Sequence, residues 1–237
     1  MNSPLSFSCF CQDIPNFVAF GQNGGWIALY DNDKVYPNGI TWASIPTGLH
    51  NLLNGRHNSE RELPTVKMLA FDNDSSVVCF SNGTYKTYGL ENDYKEDLFM
   101  PRKSHSPSFL AMNFQRDSYI VDVGNDRYMD FRERNLPLKM DKLIQNNKTD
   151  SSYVSWAAMG KEEDSYFISF SDGRSFWNNL PVKLDESLKK AKRQKISIKR
   201  VCLSAFDDRY LLLLDNGRRE FQYCCSGALE TRITKHK

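Results

Sequence analysis

The sequence predicts an all-β fold built from five copies of one short unit. The unit is clearest at residues 165–180, SYFISFSDGRSFWNNL. Tyr166–Phe170 is rich in aromatic and β-branched residues, which favour strands. Asp172-Gly173 predicts a hairpin with a two-residue primed turn, because glycine adopts positive φ without a Cβ clash. Residues 174–177 resume the strand, and Leu180-Pro181 ends it, since proline cannot donate to a β ladder.

The same unit recurs along the chain of 237 residues. Aligned on the second turn residue, the copies are spaced 50, 43, 47 and 44 residues apart, at Asp33, Gly83, Asp126, Gly173 and Gly217. An apolar strand and a short polar turn precede each copy; these strands are predicted at 17–20, 66–71, 109–114, 153–159 and 201–206. Each unit therefore has three strands, and the near-constant period indicates a repeat architecture.

We place all five repeats in a single domain, 1–237, with boundaries at about 16–65, 66–107, 108–152, 153–198 and 199–237. The strand-like run 5–11 has no repeat of its own. We expect residues 1–15 to complete the last unit and close a ring, because radial closure leaves only short, protected strand edges. Leucine-spaced segments at 49–53, 138–144 and 184–188 predict either short helices or a fourth strand.

Composition and charge exclude several classes of function. The formal net charge of +2 predicts no general attraction to nucleic acid. No stretch approaches the ~20 apolar residues of a membrane span. The six cysteines form no CxxC pair, and we expect a reducing, cytoplasmic environment. The basic run from Lys189 to Arg200 is interpreted either as a solvated linker or as a nuclear localisation signal or acidic-partner patch.

Four tryptophans are the candidate anchors for a ligand. Trp26 and Trp156 fall on predicted strands and are expected in the core. Trp42 and Trp177 fall near strand ends, where an amphipathic ring can line a pocket, and are the predicted partner-binding residues.

The sequence predicts neither an enzyme nor a cofactor. The aspartates that would suggest a glycosidase lie in turns and recur with the unit, which favours a local structural role, at Asp31, Asp33, Asp172 and Asp215. The histidines show no metal-ligand spacing, and no glycine-rich phosphate loop is present, so no metal or nucleotide is expected.

Five units of about 46 residues closed into a ring are typical of a β-propeller. The strand pattern of 16–20 and 26–36 resembles the blades of five-bladed tachylectin-type propellers, a sugar-binding family. This resemblance implies a single five-bladed β-propeller and a carbohydrate ligand. Residues 160–184 are also similar to repeats of uncharacterised, mostly fungal, multidomain proteins, which imply no activity.

These observations predict a non-enzymatic binding module that uses one propeller face as a scaffold for a protein or peptide partner, since loops on a rigid scaffold are the usual binding elements. The alternative is a lectin. A lectin would repeat its aromatic and polar site residues in every linker, whereas the linkers here differ in length and charge. The asymmetry favours the protein or peptide ligand.

Overall fold

The structure is a computed structural model that describes residues 15–30, 39–58, 65–90, 107–122, 131–147, 152–215 and 219–224. Within these ranges it contains five three-stranded antiparallel sheets, each formed by three consecutive strands in chain order. The predicted unit of three strands is therefore confirmed, and the chain is mostly β as expected. Three α-helices accompany the sheets in this part of the chain.

The fifteen strands have the following bounds. The first sheet contains β1 (Phe17–Phe20), β2 (Trp26–Leu29) and β3 (Ile40–Ala43). The second contains β4 (Val66–Phe71), β5 (Ser76–Phe80) and β6 (Tyr85–Tyr88), and the third contains β7 (Leu110–Asn113), β8 (Ser118–Asp122) and β9 (Phe131–Arg134). The fourth contains β10 (Val154–Met159), β11 (Tyr166–Phe170) and β12 (Ser175–Asn178), and the fifth contains β13 (Ser197–Leu203), β14 (Tyr210–Asp215) and β15 (Arg219–Cys224).

The middle strand of every sheet is buried on both faces, which explains its continuous apolar sequence. Tyr210–Asp215, with four consecutive leucines, is the extreme case. Trp26 has no exposed surface and Trp156 is also buried, which confirms the core positions predicted for both. Cys79 and Cys202 are buried free thiols.

The hairpin at Asp172 differs from the predicted two-residue turn. Phe170 pairs with Arg174, donating its N–H to the Arg174 carbonyl at 2.8 Å, so the loop has three residues. Only Gly173 has positive φ, at 87°. Asp172 Oδ1 accepts the Arg174 N–H at 2.9 Å, and this local bond shapes the turn without a second residue at positive φ. Gly83 occupies the same position in the second sheet, with φ 81°.

The three leucine-spaced segments are helices of 10–12 residues rather than fourth strands: α1 (Thr47–Asn58), α2 (Leu138–Asn147) and α3 (Val182–Arg193). The same three-residue pattern comes directly before each helix: a residue at positive φ, then an apolar residue, then a proline. The residues at positive φ are Ser44, Asn135 and Asn179. Each helix then buries a pair of apolar side chains four residues apart: Leu49 with Leu53, Met140 with Ile144, and Leu184 with Leu188.

The basic run from Lys189 to Arg200 is not the linker that its composition suggested. Its first five residues form the last turns of α3, and its last four residues open β13. Cationic side chains are favourable at that end of a helix, because they face the negative end of its dipole.

The first strands of the five sheets pack around a common centre. They contact one another in chain order (β1, β4, β7, β10, β13), and β13 also contacts β1. All five strands line a central apolar cavity of about 50 Å³. The rings of Phe17 and Trp156 meet edge-to-face with centroids 6.2 Å apart, which joins the first and fourth sheets. The run 5–11 and the turns at Asp33, Asp126 and Gly217 lie outside the described residues. None of the described helices is long and apolar enough to cross a membrane.

Candidate functional site

Trp177, one of the two predicted partner-binding residues, attaches α3 to the fourth sheet. Its indole Nε1–H donates to Asp185 Oδ1 of α3 at 2.9 Å. Its ring stacks on Phe167 with centroids 6.4 Å apart, and the Lys192 ammonium lies 5.5 Å from the ring centre. The hydrogen bond from Lys189 lowers the pKa of Asp185 below the usual value; burial opposes this shift and the bond from Trp177 adds to it. The indole therefore contacts both its own sheet and α3.

Trp42, the other predicted residue, occupies the corresponding place in the first sheet. It is half-buried and meets the His50 ring of α1 edge-to-face, at a centroid distance of 6.2 Å. His50 follows Trp42 by eight residues, as Asp185 follows Trp177. The two tryptophans thus lie on different sheets, each against its own helix, and the structure does not bring them together. Their ligand-binding role stays a prediction.

A cleft of about 240 Å³ lies elsewhere, between the fourth and fifth sheets. Three segments form this cleft: the β10–β11 turn 160–165, the segment 179–182 that leads into α3, and the β13–β14 turn 203–209. One wall is apolar, made of Leu180, Pro181, Val182 and Leu203. The charged residues around it are Lys161, Glu162, Asp207, Asp208 and Arg209.

Arg209 is the most buried charged residue of the cleft lining and is only 8% exposed. Its Nη2–H and Nη1–H donate to the carbonyls of Gly21 at 2.6 Å and Gly25 at 3.0 Å. Its Nε–H donates to both carboxylate oxygens of Asp207, at 2.8 and 2.7 Å. Its guanidinium also lies 5.2 Å from the centre of the Phe20 ring. One side chain of the fifth sheet is thereby bound to the first sheet.

The Asp207 carboxylate already accepts hydrogen bonds from Arg209. Burial disfavours its charged form, but hydrogen bonds from Arg209 and Ser204 outweigh the burial, so its pKa lies below the usual value. Asp207 and Arg209 together add almost no net charge to the cleft.

The preceding cleft, between the third and fourth sheets, is bridged by side chains. Lys139 Nζ of α2 lies 2.8 Å from the Asp164 carboxylate, and Arg116 donates to the Lys161 carbonyl at 2.9 Å. Deeper in this cleft, Asn113 Nδ2 donates to the Gly160 carbonyl at 2.9 Å. These contacts join the two sheets at the same end of the molecule.

The same two residue types recur next to the fourth–fifth cleft, but without the bridge. Lys183 and Asp208 each lie 44 residues after Lys139 and Asp164, at the same positions of the helix and the turn. Within the described ranges, neither Lys183 nor Asp208 forms an ion pair. The cleft is therefore open where its neighbour is closed.

Sequence reasoning missed these residues because turn residues were explained by local hydrogen bonding alone. The available signal was the 44-residue offset, which aligns both members of the Lys139–Asp164 bridge with Lys183 and Asp208. No group of histidine, cysteine and carboxylate side chains in the described part of the chain is arranged to hold a metal ion. No known protein-family model matches the chain, and a search of curated proteins finds no match.

Proposed function

We propose that the five sheets are the blades of a closed, five-bladed β-propeller. Two observations support closure. The fifth sheet reaches the first both through the β13–β1 contact and through Arg209, whose guanidinium binds the carbonyls of Gly21 and Gly25. The central cavity is lined by the first strand of every sheet, as expected when blades surround an axis.

The function that this architecture supports best is a non-enzymatic module that binds a protein or peptide partner. The observation that carries the proposal is the open cleft of about 240 Å³ between the fourth and fifth blades. Its apolar wall and polar rim are the usual composition of a binding site. The cleft is formed by turns and the start of a helix at one end of the blades. A partner would therefore bind at a face of the propeller.

A protein or peptide ligand is favoured over a repeated carbohydrate site because the clefts are not equivalent. The third–fourth cleft is bridged by Lys139 and Asp164, while the fourth–fifth cleft is not bridged. A lectin with one site per pair of blades would keep the same open geometry in each. An asymmetric partner needs only one such opening.

The test compares two equivalent residues. Val182 and Leu138 are each the first residue of their helix and are 73% and 63% exposed, and only Val182 lines the open cleft. A random-sequence peptide library and a glycan array are screened with the wild type, Val182→Trp and Leu138→Trp. Peptides that bind the wild type and Leu138→Trp but not Val182→Trp support the proposal. Binding of a sugar class alone, or peptide binding unaffected by Val182→Trp, overturns it.

A further inference from the structure

We propose that the fourth–fifth cleft anchors a basic side chain, arginine or lysine, of the bound peptide, with Asp208 as its carboxylate partner. This inference rests on the proposed function and specifies the chemistry of the peptide. It starts from the third–fourth cleft, where the carboxylate at the equivalent position, Asp164, already binds an ammonium group at 2.8 Å. In the fourth–fifth cleft the ligand's cation takes the place that Lys139 Nζ takes in its neighbour.

The charges inside the cleft leave Asp208 as the carboxylate available to a ligand. Asp207 is occupied by Arg209, at 2.7 Å. Glu162 has the adjacent Lys161 ammonium at 3.6 Å. Asp208 has neither an ion pair nor a side-chain hydrogen bond among the described residues. A cation entering the cleft therefore meets one carboxylate that has no ion pair among the described residues.

The apolar wall suits the rest of such a side chain. Lysine and arginine have a hydrocarbon stem that packs on apolar surface while the charged head stays with its polar partner. Leu180, Pro181, Val182 and Leu203 supply that surface beside Asp208. A sugar would bury its hydroxyls against the same wall without partners, and an acidic peptide would face Asp208 with a like charge.

Lys183 is the internal competitor. It has the helix position from which Lys139 reaches Asp164, but it makes no ion pair within the described residues. A flexible lysine at this position can approach Asp208 in the free protein, and the ligand's cation then has to displace it. Removing its charge should strengthen binding.

The experiment selects peptides from a random-sequence library on the full chain and measures their affinities by fluorescence anisotropy. Selected peptides should be enriched in arginine or lysine. Replacing a selected arginine by citrulline, or a selected lysine by Nε-acetyl-lysine, removes the charge and should weaken binding about tenfold, since truncating a partly desolvated charge pair costs more than an exposed pair. Asp208→Asn should weaken it equally, Lys183→Ala should tighten it by a few-fold, and the matched control Asp164→Asn should leave it unchanged.

The outcomes separate this inference from the proposed function. Peptides that require the open cleft, as judged by Val182→Trp, but show no basic enrichment and bind Asp208→Asn normally overturn the inference and leave the binding module standing. Equal weakening by Asp208→Asn and Asp164→Asn also overturns it, because the effect would then follow general charge. If no peptide binds, both proposals fall.

Discussion

Replacing Arg209 by methionine should weaken the whole fold, because this side chain joins the last described sheet to the first. Methionine keeps an unbranched stem but removes the guanidinium. The carbonyls of Gly21 and Gly25 then lose their donors, which lie 2.6 and 3.0 Å away in the wild type. Asp207 loses both bonds from the guanidinium Nε–H and keeps the one from the Arg209 backbone N–H, and the stacking on the Phe20 ring is lost as well.

The expected magnitude follows from the burial of these groups. Arg209 is 8% exposed, so its partners are not fully re-solvated when it is removed. A hydrogen bond to a charged group contributes about 1.5–3 kcal/mol, and breaking a buried charged pair from one side costs about 3–5 kcal/mol. Asp207 is itself 42% exposed on its side chain and recovers water, which places the estimate at about 3–5 kcal/mol rather than at the sum of all bonds. For a chain of this size that corresponds to a midpoint about 6–20 °C lower.

The assay is equilibrium unfolding in urea, supported by scanning calorimetry. Arg174→Met is the matched control, because Arg174 also pairs with an aspartate two residues before it, at 2.7 Å, but is 46% exposed and flanks the hairpin loop of one sheet. An exposed pair contributes about 0–1 kcal/mol, so the control should lose less than about 1 kcal/mol. A loss of under about 1 kcal/mol for Arg209→Met, or equal losses for the two variants, would refute the role of Arg209 in joining the first and fifth sheets.

Three further predictions concern backbone strain, acid stability and thiol reactivity. Gly89 and Gly173 both have positive φ, but a Cβ added at Gly89 would lie 1.8 Å from the backbone oxygen of another residue, whereas one added at Gly173 would lie in open space. In urea unfolding, Gly89→Ala should therefore destabilise the protein by several kcal/mol more than Gly173→Ala. The stability that Asp207 contributes is present above its unfolded pKa of about 3.8 and is lost as the pH falls through its lower folded pKa. The free energy of unfolding should therefore decline less between pH 4 and pH 2 in Asp207→Asn than in the wild type. An equal decline in the two proteins would contradict this. Burial raises the pKa of Cys79 to about 12 and that of Cys202 to about 11, so neither thiol should react at neutral pH in the folded protein. In a variant with the other four cysteines replaced by serine, iodoacetamide should therefore label these two thiols only in urea. Equal labelling rates in the native protein would contradict this.

Much of the fold could be predicted from the sequence because its buried strands are short runs of mainly apolar residues between turn residues. The strand Tyr166–Phe170 was predicted with its observed bounds, since a short apolar run between turn residues favours a buried strand. The hairpin loop was predicted one residue too short, because a glycine indicates positive φ but not how the preceding Asp172 side chain bonds. The helices stayed ambiguous because a pair such as Leu184 and Leu188 is too short a pattern to separate a helix from a strand.

The candidate site was harder to predict than the fold. Sequence alone gives the types of the residues at 183 and 208 but not whether their side chains meet. The same two residue types meet at 2.8 Å in the preceding cleft and do not meet here, and only coordinates separate the two cases. The tryptophans were predicted to bind a partner because large aromatic rings often bind ligands. Trp177 packs between α3 and the sheet, and its binding role stays a prediction.

A repeated unit by itself produces equivalent clefts, so a specific partner requires that the repeats differ at the surface while agreeing in the core. The β13–β14 turn contains one such difference next to a residue that both repeats share. Position 209 is an arginine where the fourth sheet has Ser165, and it reaches across to the first sheet. Position 208 keeps the aspartate of the fourth sheet, but it makes no ion pair with Lys183 within the described residues. One residue thus fastens the fifth sheet to the first, and its neighbour leaves the fifth sheet's other side open to a ligand. A partner held at Asp208 would therefore be attached to a turn that Arg209 has already fixed, which lowers the ordering cost of binding.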